Sequence, residues 1–337
     1  MKVGIFLTNQ QQVGADQVVA LDEQIDMLHA ARDAGWDSVH AGQHYLSTTM
    51  SHIQPLPYLG RLAAEAGDMQ VGIGILLLPL QNPVDVAENF ASLDVVTRGR
   101  LIFGVGMGYR EPEYEAFGVD PSTKVRRFTE NLDIILRLWA GEEVTTDLPW
   151  CRLDGARLNL PPVQQPRPPV WMAANGDVAV RRAARLADAW MINPHAALPT
   201  VSRQVDLYRQ EQRDAGRDDT QSLPLMREIF CAKDRRTAVE RAAPYISQKY
   251  RAYAQWGQDQ MMPEKESFAI PYEELAAERF IVGSPEDCIE ALRPWCRLGV
   301  DHLVLRTHWA GLPVEDALES IRLLATEVIP ALESESR

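Results

Sequence analysis

His44 is the residue in this chain whose type and position best suit proton transfer. It lies in the polar segment 42–45, directly after the strand-like run 38–41. Imidazole exchanges a proton near neutral pH and also hydrogen-bonds bound molecules. We therefore single out His44 as a candidate functional residue.

Four other histidines occupy less informative positions. His195 and His308 follow predicted strands, where loop histidines usually lie at the surface or have satisfied hydrogen bonds. His40 and His302 lie inside strand-like runs and are predicted to be structural. The chain contains no HExxH motif, no nucleophile elbow and no histidine–carboxylate cluster with metal-ligand spacing. We therefore predict no metal site.

Two further stretches have the composition of ligand-binding turns. Gly104, Gly106 and Gly108 lie at the end of the apolar run 101–105. Glycines there allow a ligand to approach the backbone closely. Tight packing of a turn explains the same spacing. The segment 175–177 precedes a predicted helix, whose first N–H groups bind either an anion or an ordinary cap. Three arginines follow within that helix, where side chains usually face solvent: Arg181, Arg182 and Arg185.

The elements that must position these residues alternate between strand and helix about eight times. The predicted strands are residues 3–7, 38–41, 71–78, 101–105, 170–173, 189–192, 226–231 and 302–306. Helices are predicted at 18–34, 57–66, 83–96, 122–140, 177–186, 198–215, 237–253, after the cap at Ser284, and at 314–332. A single α/β domain over residues 1–337, folded as a (β/α)8 TIM barrel, explains this order best. An open doubly wound sheet is the alternative, although the first strand–helix turn lacks GxGxxG.

Two segments interrupt the alternation. Residues 141–169 contain several prolines and read as an excursion before strand five, with a small hairpin. Residues 255–270 form a long loop after helix seven, with Trp256, Met261 and Met262 among polar residues. Long loops in compact domains are usually functional or disordered. We predict a lid over the carboxyl ends of the strands, with a passive surface loop as the alternative.

Composition restricts the class of partner and the compartment. The net charge of −13 argues against nucleic acid or an anionic membrane as the main partner. Four cysteines without CxxC or zinc spacing suit a reduced, cytoplasmic protein. The strand-like run after Lys2 leaves no room for a signal peptide, and no apolar run has membrane-spanning length.

Several stretches together resemble the bacterial luciferase-like flavin-dependent monooxygenases, which share their barrel with the oxidoreductases that use the deazaflavin F420. The resemblance covers nearly the whole chain. It is carried by GWDSV at 35–39 leading to Gln43-His44, LLPLQNPVDVAENFASL at 77–93, GRLIFGVGMGYREPEYEAFG at 99–118, PPVQQPRPPVWMAANGDVAVRRAARLADAW at 161–190, and residues 282–332.

This resemblance implies specific residue roles. His44 corresponds to the histidine beside the reactive part of the flavin, and the Gly74–Ile75 bond to a non-prolyl cis peptide. Met107 stands where many relatives have a phosphate-binding arginine, and Gln43 where an acidic partner for the histidine is common. The implied cofactor-binding residues are Phe6, Gly74, Ile75, Gly106, Met107, Gly108, Asn175, Gly176, Asp177, Val178 and Ala179.

The implied function is oxygenation of a small organic substrate with O2 and reduced FMN (FMNH2), which a separate NAD(P)H-dependent flavin reductase supplies. Hydride transfer with F420 is the alternative, and a non-catalytic flavin-binding barrel is a third possibility. Relatives are commonly homodimers. We predict a homodimer through helices two and three, using Leu59, Leu62, Ala63, Phe90, Leu93 and Val96.

Overall fold

A computed structural model of the chain describes residues 1–262, 267–277 and 279–335. Its strands are β1 Lys2–Phe6, β2 Gln10–Gln12, β3 Ser38–Ala41, β4 Met50–His52, β5 Gln70–Ile73, β6 Leu76–Leu77, β7 Leu101–Gly106, β8 Val144–Leu148, β9 Cys151–Ala156, β10 Val170–Ala173, β11 Ala189–Met191, β12 Pro224–Cys231, β13 Phe280–Gly283 and β14 His302–Arg306. Its helices are α1 Gln17–Asp33, α2 Pro55–Glu65, α3 Pro83–Val96, α4 Glu111–Ala116, α5 Lys124–Trp139, α6 Asp177–Leu186, α7 Leu198–Asp214, α8 Arg235–Gln255, α9 Tyr272–Ala276, α10 Pro285–Arg297, α11 Val314–Leu323 and α12 Ile329–Glu335.

The parallel strands curl into a barrel. Their order is β11-β10-β7-β5-β3-β1-β14-β12. Strand β13 pairs with the carboxyl-terminal half of β12, at residues 228–231. Ile192, just after β11, forms a parallel bridge with Leu225 of β12 and so closes the ring. The predicted (β/α)8 barrel is therefore confirmed, and the carboxyl ends of its strands meet at one face.

Apolar side chains fill both surfaces of this ring. All six residues of β7 are buried, as expected for a parallel strand covered on both faces. The larger core cluster lies between strands and helices, and a smaller one occupies the barrel interior. That interior cluster contains Phe6, Ile102, Trp171, Ala189, Met191, Met226 and Val304.

Local sequence signals place several helix ends correctly. The Asn82 side chain accepts hydrogen bonds from the Val84 and Asp85 N–H groups, and Pro83 begins α3. Ser284 and Asp287 form a capping box at α10. Gly35 has a φ of +81° just past the end of α1. The predicted hairpin in the excursion is also confirmed, because β8 and β9 pair antiparallel.

Three structural features differ from the sequence expectations. The single strand predicted at 71–78 is two strands, β5 and β6, separated by the Gly74–Ile75 bond. Helix α4 and strand β13 were not predicted, because both are shorter than the windows in which periodicity is visible. The last helix contains a π-helical turn at Leu324–Val328.

The apolar surface proposed for a dimer is smaller than expected. Leu59, Leu62, Ala63, Phe90 and Leu93 are all buried within the chain itself, since they pack in the core that contains the barrel strands. Val96 is exposed, with its neighbour Val95. The argument from the buried residues is therefore wrong, and the homodimer stays a prediction.

Candidate active site

A cavity of about 350 Å³ opens at the carboxyl ends of the barrel strands. Residues at or just beyond the ends of seven barrel strands line it, and others come from α5, α6, α8 and the segment after α8. Ten of the predicted site residues line this cavity: Phe6, His44, Gly74, Ile75, Gly106, Met107, Gly108, Asn175, Gly176 and Ala179.

His44 is held by a carboxylate that the sequence analysis did not identify. Its Nδ1 lies 3.1 Å from Glu113 Oε1, on α4. Because a carboxylate only accepts hydrogen bonds, Nδ1 carries the proton in the neutral ring and Nε2 remains an acceptor. No acidic partner stands at Gln43, but Glu113 supplies one from a different element.

Glu113 is itself fully buried and fixed by three donors. Oε1 also accepts from the Tyr45 N–H at 2.8 Å and from Arg110 Nη1 at 3.0 Å. Burial raises the pKa of Glu113, but the hydrogen bond and charge of His44, the Tyr45 N–H and Arg110 outweigh it, so the pKa lies below its usual value. The carboxylate is therefore charged at neutral pH and orients the imidazole.

A floor of small residues lies beside this pair. The Gly74–Ile75 peptide is cis, which confirms the expectation from the resemblance. A Cβ at Gly106 would lie 2.5 Å from Ile75 Cδ1, and one at Gly74 would lie 3.1 Å from Met191 Cε and 3.3 Å from the Phe6 ring. Glycine is required at these positions, because neighbouring side chains occupy the space that a Cβ would take.

Cationic groups lie at another part of the cavity. Asn175, Gly176 and Ala179 at the start of α6 line it, together with Arg182 and Lys124. Arg182 was expected to face solvent, and this expectation is wrong, because its place one turn after Ala179 puts it on the same helix face. Arg181 and Arg185 do lie at the surface, where both bind Glu211.

Two predicted site residues do not line the cavity. Asp177 turns to α7, where its carboxylate binds Arg203 at 2.7 Å and Gln204 at 3.0 Å. The Val178 side chain is 71% exposed. Their backbone N–H groups belong to the first turn of α6, so only backbone contacts of these two residues can reach an anion at the helix start.

The four other histidines considered in the sequence analysis are hydrogen-bonded within the protein. His195 lines the cavity, but its Nδ1 lies 2.7 Å from the Tyr250 hydroxyl. His308 lies 2.9 Å from the Leu312 carbonyl through Nε2. His40 and His302 share the Ser38 hydroxyl at 3.0 and 2.8 Å, which confirms that they are structural.

The described part of the predicted lid lies over the site. Trp256 packs 5.3 Å from His44 and 5.3 Å from Tyr253 between ring centroids, and the Arg110 guanidinium lies 4.6 Å from its ring. Gln258 and Met261 line the cavity. Residues 263–266 of this loop lie outside the described residues.

The residues that the structure describes contain no cluster of three or more histidine, cysteine or carboxylate side chains able to hold a metal ion. None of the helices described is both long enough and apolar enough to cross a membrane.

The family profile described as luciferase-like monooxygenase matches residues 1–302. The chain belongs to this family. Luciferase-like proteins are oxidoreductases, so the expectation of an oxidoreductase is confirmed.

Individual relatives of this luciferase-like protein differ in their chemistry. A phthiodiolone/phenolphthiodiolone dimycocerosates ketoreductase of Mycobacterium sp. (strain JLS) is 35% identical over 213 residues, which cover 61% of this chain and 56% of that protein. An F420-dependent glucose-6-phosphate dehydrogenase of Nakamurella multipartita is 26% identical and covers 92% of both chains. The chain thus spans only about half the length of the first relative.

Solved structures support the fold of the luciferase-like chain. The crystal structure of monooxygenase RslO1 from Streptomyces bottropensis superposes with a TM-score of 0.88, covering 98% of this chain and 99% of that one at 22% identity. At this identity the likeness supports the barrel and says nothing about substrate or cofactor.

Proposed function

We propose that this protein is a monooxygenase that takes up reduced FMN from a separate NAD(P)H-dependent flavin reductase and uses O2 to oxygenate a small organic substrate. The observation that carries this proposal is the apolar cover over a histidine site. Trp256 packs against His44, and Met261 lines the cavity above a floor that includes Ile75 and Leu77. Oxygenation by a reduced flavin requires that water be excluded while oxygen is activated.

The cavity residues fit an FMN molecule. Gly74, Ile75 and Gly106 line the cavity together, and the family resemblance places the flavin ring against the cis Gly74–Ile75 peptide. Lys124, Arg182 and the start of α6 suit the phosphate, because cations and helix N–H groups both favour an anion. Met107 supplies no charge there, and these groups take the place of the arginine common in relatives.

The bound flavin would supply the two electrons that activate O2. The chain's own part is to bind, orient and shield. His44 Nε2 is the atom that exchanges a proton, because Glu113 occupies Nδ1. Trp256 and Met261 keep bulk water from that atom, and the cationic residues hold the far end of the cofactor in place.

A second candidate is hydride transfer with F420, which needs no O2. Two observations favour it. The His44–Glu113 pair, with its buried carboxylate, suits acid–base chemistry on an alcohol or carbonyl. Two relatives are named as a ketoreductase and an F420-dependent dehydrogenase. The small organic substrate, the reductase and the homodimer remain parts of the proposal.

One experiment separates the two candidates. Purified protein is titrated with FMN, FMNH2 and F420, and the dissociation constants are compared. We expect FMNH2 to bind more tightly than F420, and isotopically labelled O2 to give labelled product with a suitable substrate. Tight binding of F420 alone, with turnover in the absence of O2, would overturn the monooxygenase and establish the second candidate.

A further inference from the structure

A buried ionic cluster lies behind the cavity and has no part in the function proposed above. Glu228 on β12 and Arg306 on β14 are register partners, with Arg306 Nη1 3.3 Å from Glu228 Oε1. The Lys249 ammonium also donates to Glu228 Oε1, and the Trp309 indole N–H donates to Oε2. Each of the three charged residues is at most 5% exposed.

The charges of this cluster do not cancel. Among the described residues it contains one carboxylate, Glu228, and two cations, Lys249 and Arg306. Burying an uncompensated positive charge is costly, so a further electron-rich group is expected beside it. Tyr253 is that group: the Lys249 nitrogen lies 5.0 Å from its ring centroid, and the two residues are one turn apart on α8.

Tyr253 connects the cluster to the cavity. It lines the cavity wall and is 5% exposed. Its hydroxyl accepts a hydrogen bond from Gln10 Nε2 at 3.3 Å and donates to Gln10 Oε1 at 3.5 Å. Arg306 lines the same wall, with its guanidinium 4.3 Å from the centre of the Phe6 ring. Tyr253 and Arg306 are therefore the residues through which the cluster reaches the cavity.

A second tyrosine lines the same cavity with an unused hydroxyl. Tyr109 follows the glycine-rich end of β7, and its ring lies 6.0 Å from that of His44. Its hydroxyl oxygen is buried, and no hydrogen-bond partner for it exists among the described residues. A buried hydroxyl without a partner costs free energy, and a ligand oxygen in the cavity would remove that cost.

The surroundings shift the pKa values of the two phenols, Tyr253 and Tyr109, in opposite directions. Burial raises the pKa of Tyr253, but the charges of Lys249 and Arg306 and the Gln10 hydrogen bond outweigh it, so that the pKa lies below its usual value. Burial, Tyr253 and Glu113 raise the pKa of Tyr109 well above its usual value. Such a separation assigns one group to proton exchange and the other to hydrogen bonding.

We propose that Tyr253 exchanges a proton with an oxygen of the organic substrate, and that the Tyr109 hydroxyl donates a hydrogen bond to the same oxygen. The substrate class is therefore a compound with a phenol or carbonyl oxygen that carries or gains negative charge. When the proton moves to that oxygen, the Tyr253 O–H bond breaks and a new O–H bond forms. The electron pair stays on Tyr253 beside the two cations, and the proton is later recovered from solvent.

This inference rests on the proposed function only in placing the organic substrate in the cofactor's cavity. The first test uses para-nitrophenol, because its ionised form has its own visible absorbance. The probe is titrated into the purified protein and into three variants: Tyr253→Phe, Tyr109→Phe and Tyr250→Phe. Tyr250 is the matched control, because it is on the same helix and its hydroxyl binds His195.

We expect Tyr253→Phe and Tyr109→Phe each to weaken para-nitrophenol binding by about 10- to 100-fold, as for one hydrogen bond to a charged group. Tyr250→Phe is expected to stay within about threefold of the wild type, since context alone varies single contacts by such factors. Equal affinity of all four proteins for the probe would overturn the proposal.

The second test needs no ligand. The ultraviolet absorbance of ionised tyrosine is recorded against pH for the wild type and for Tyr253→Phe. We expect one wild-type phenol to ionise below the ordinary value of about 10, and this transition to be absent from the variant. Identical titrations of the two proteins would overturn the role of Tyr253, and if that variant fails to fold, the wild-type titration and Tyr109→Phe decide. A wild type that binds neither FMN nor F420 overturns the proposed function and leaves both readouts interpretable.

Discussion

The pairing of His44 with Glu113 engages Nδ1 and leaves Nε2 as the imidazole nitrogen available to a bound molecule. His44→Ala should lower kcat by about 10²- to 10⁴-fold with saturating reduced cofactor, as for loss of an acid–base group, and change flavin affinity far less. Stopped-flow turnover with a parallel flavin titration measures both. Unchanged turnover would contradict the catalytic role.

Glu113→Gln is the matching change in the positioning residue. The amide keeps the shape but removes the charge that orients the ring. We expect kcat to fall by about 10- to 100-fold, less than for His44→Ala, because the imidazole itself remains. The pH dependence of kcat should also change, because the charged carboxylate beside the imidazole is lost. A lower kcat with an unaltered pH profile would indicate a purely structural role.

Arg182 provides a test of the proposed phosphate-binding end of the cavity. Arg182→Met should weaken FMN binding by about tenfold or more, because one charge-assisted contact to the phosphate is lost. Riboflavin, which lacks the phosphate, should bind the variant and the wild type equally. Arg181→Met is the control, because Arg181 is bound to Glu211 at the surface. Equal losses for FMN and riboflavin would remove Arg182 from the phosphate site.

Single residues show what the sequence can and cannot reveal. His44 was identifiable because a polar residue after a buried strand lies at the active face of a barrel. Glu113 was not, because it is 69 residues away and short helix α4 has no visible periodicity. Arg182 had a signal that was not used: it is three residues after Ala179, which places both on one face of α6.

At the scale of elements, we predict that the segment that follows α8 controls whether water reaches the site. The Trp256 ring packs against the His44 and Tyr253 rings and against the Arg110 guanidinium. Trp256→Ala should leave the barrel folded, but more of the reducing equivalents should appear as hydrogen peroxide instead of oxygenated product. The peroxide released per reduced flavin, measured with Trp256→Phe as control, tests this lid.

If this segment is a lid, bound ligands should protect it from proteolysis. Proteolysis within residues 255–270 should slow when saturating reduced flavin and substrate are present, because closure buries the chain. In the peroxide measurement, Trp256→Phe should still direct most reducing equivalents to oxygenated product, since an aromatic ring still covers His44. Equal cleavage with and without ligands, together with full coupling in Trp256→Ala, would leave a passive surface loop.

Elements were predictable where pattern and caps agree. Strands β3, β10 and β14 and helix α6 were predicted at their observed bounds. The stretch 71–78 misled because the residues at its break are as apolar as the strands, so a continuous run conceals two strands. The position of that break followed only from the family resemblance, since it is a property of backbone geometry.

At the scale of the whole molecule, buried histidines link stability to pH. Burial lowers the pKa of His302 and of His308 to about 4, and that of His52 to about 3. Burial also places the pKa values of His40 and His195 well below the ordinary value. All five must stay neutral in the fold, whereas in the unfolded chain each binds a proton near pH 6.5.

The folded chain should therefore lose stability as the pH falls below about 6.5. A histidine whose folded pKa is depressed stabilises fully above its unfolded pKa, and this contribution is lost as the pH falls towards the folded value. Each such histidine lowers the free energy of unfolding by about 1.4 kcal/mol for every pH unit that the pH falls within that window. Between about pH 6.5 and 5 the histidines dominate the pH dependence of stability, because carboxylates of an unfolded chain protonate nearer pH 4.

Urea unfolding at several pH values, for the wild type and His308→Gln, measures the slope of the free energy of unfolding against pH. The glutamine amide can still donate to the Leu312 carbonyl but does not titrate, so the variant's slope should fall by about one proton's share. Equal slopes would show that His308 is not held neutral by the fold.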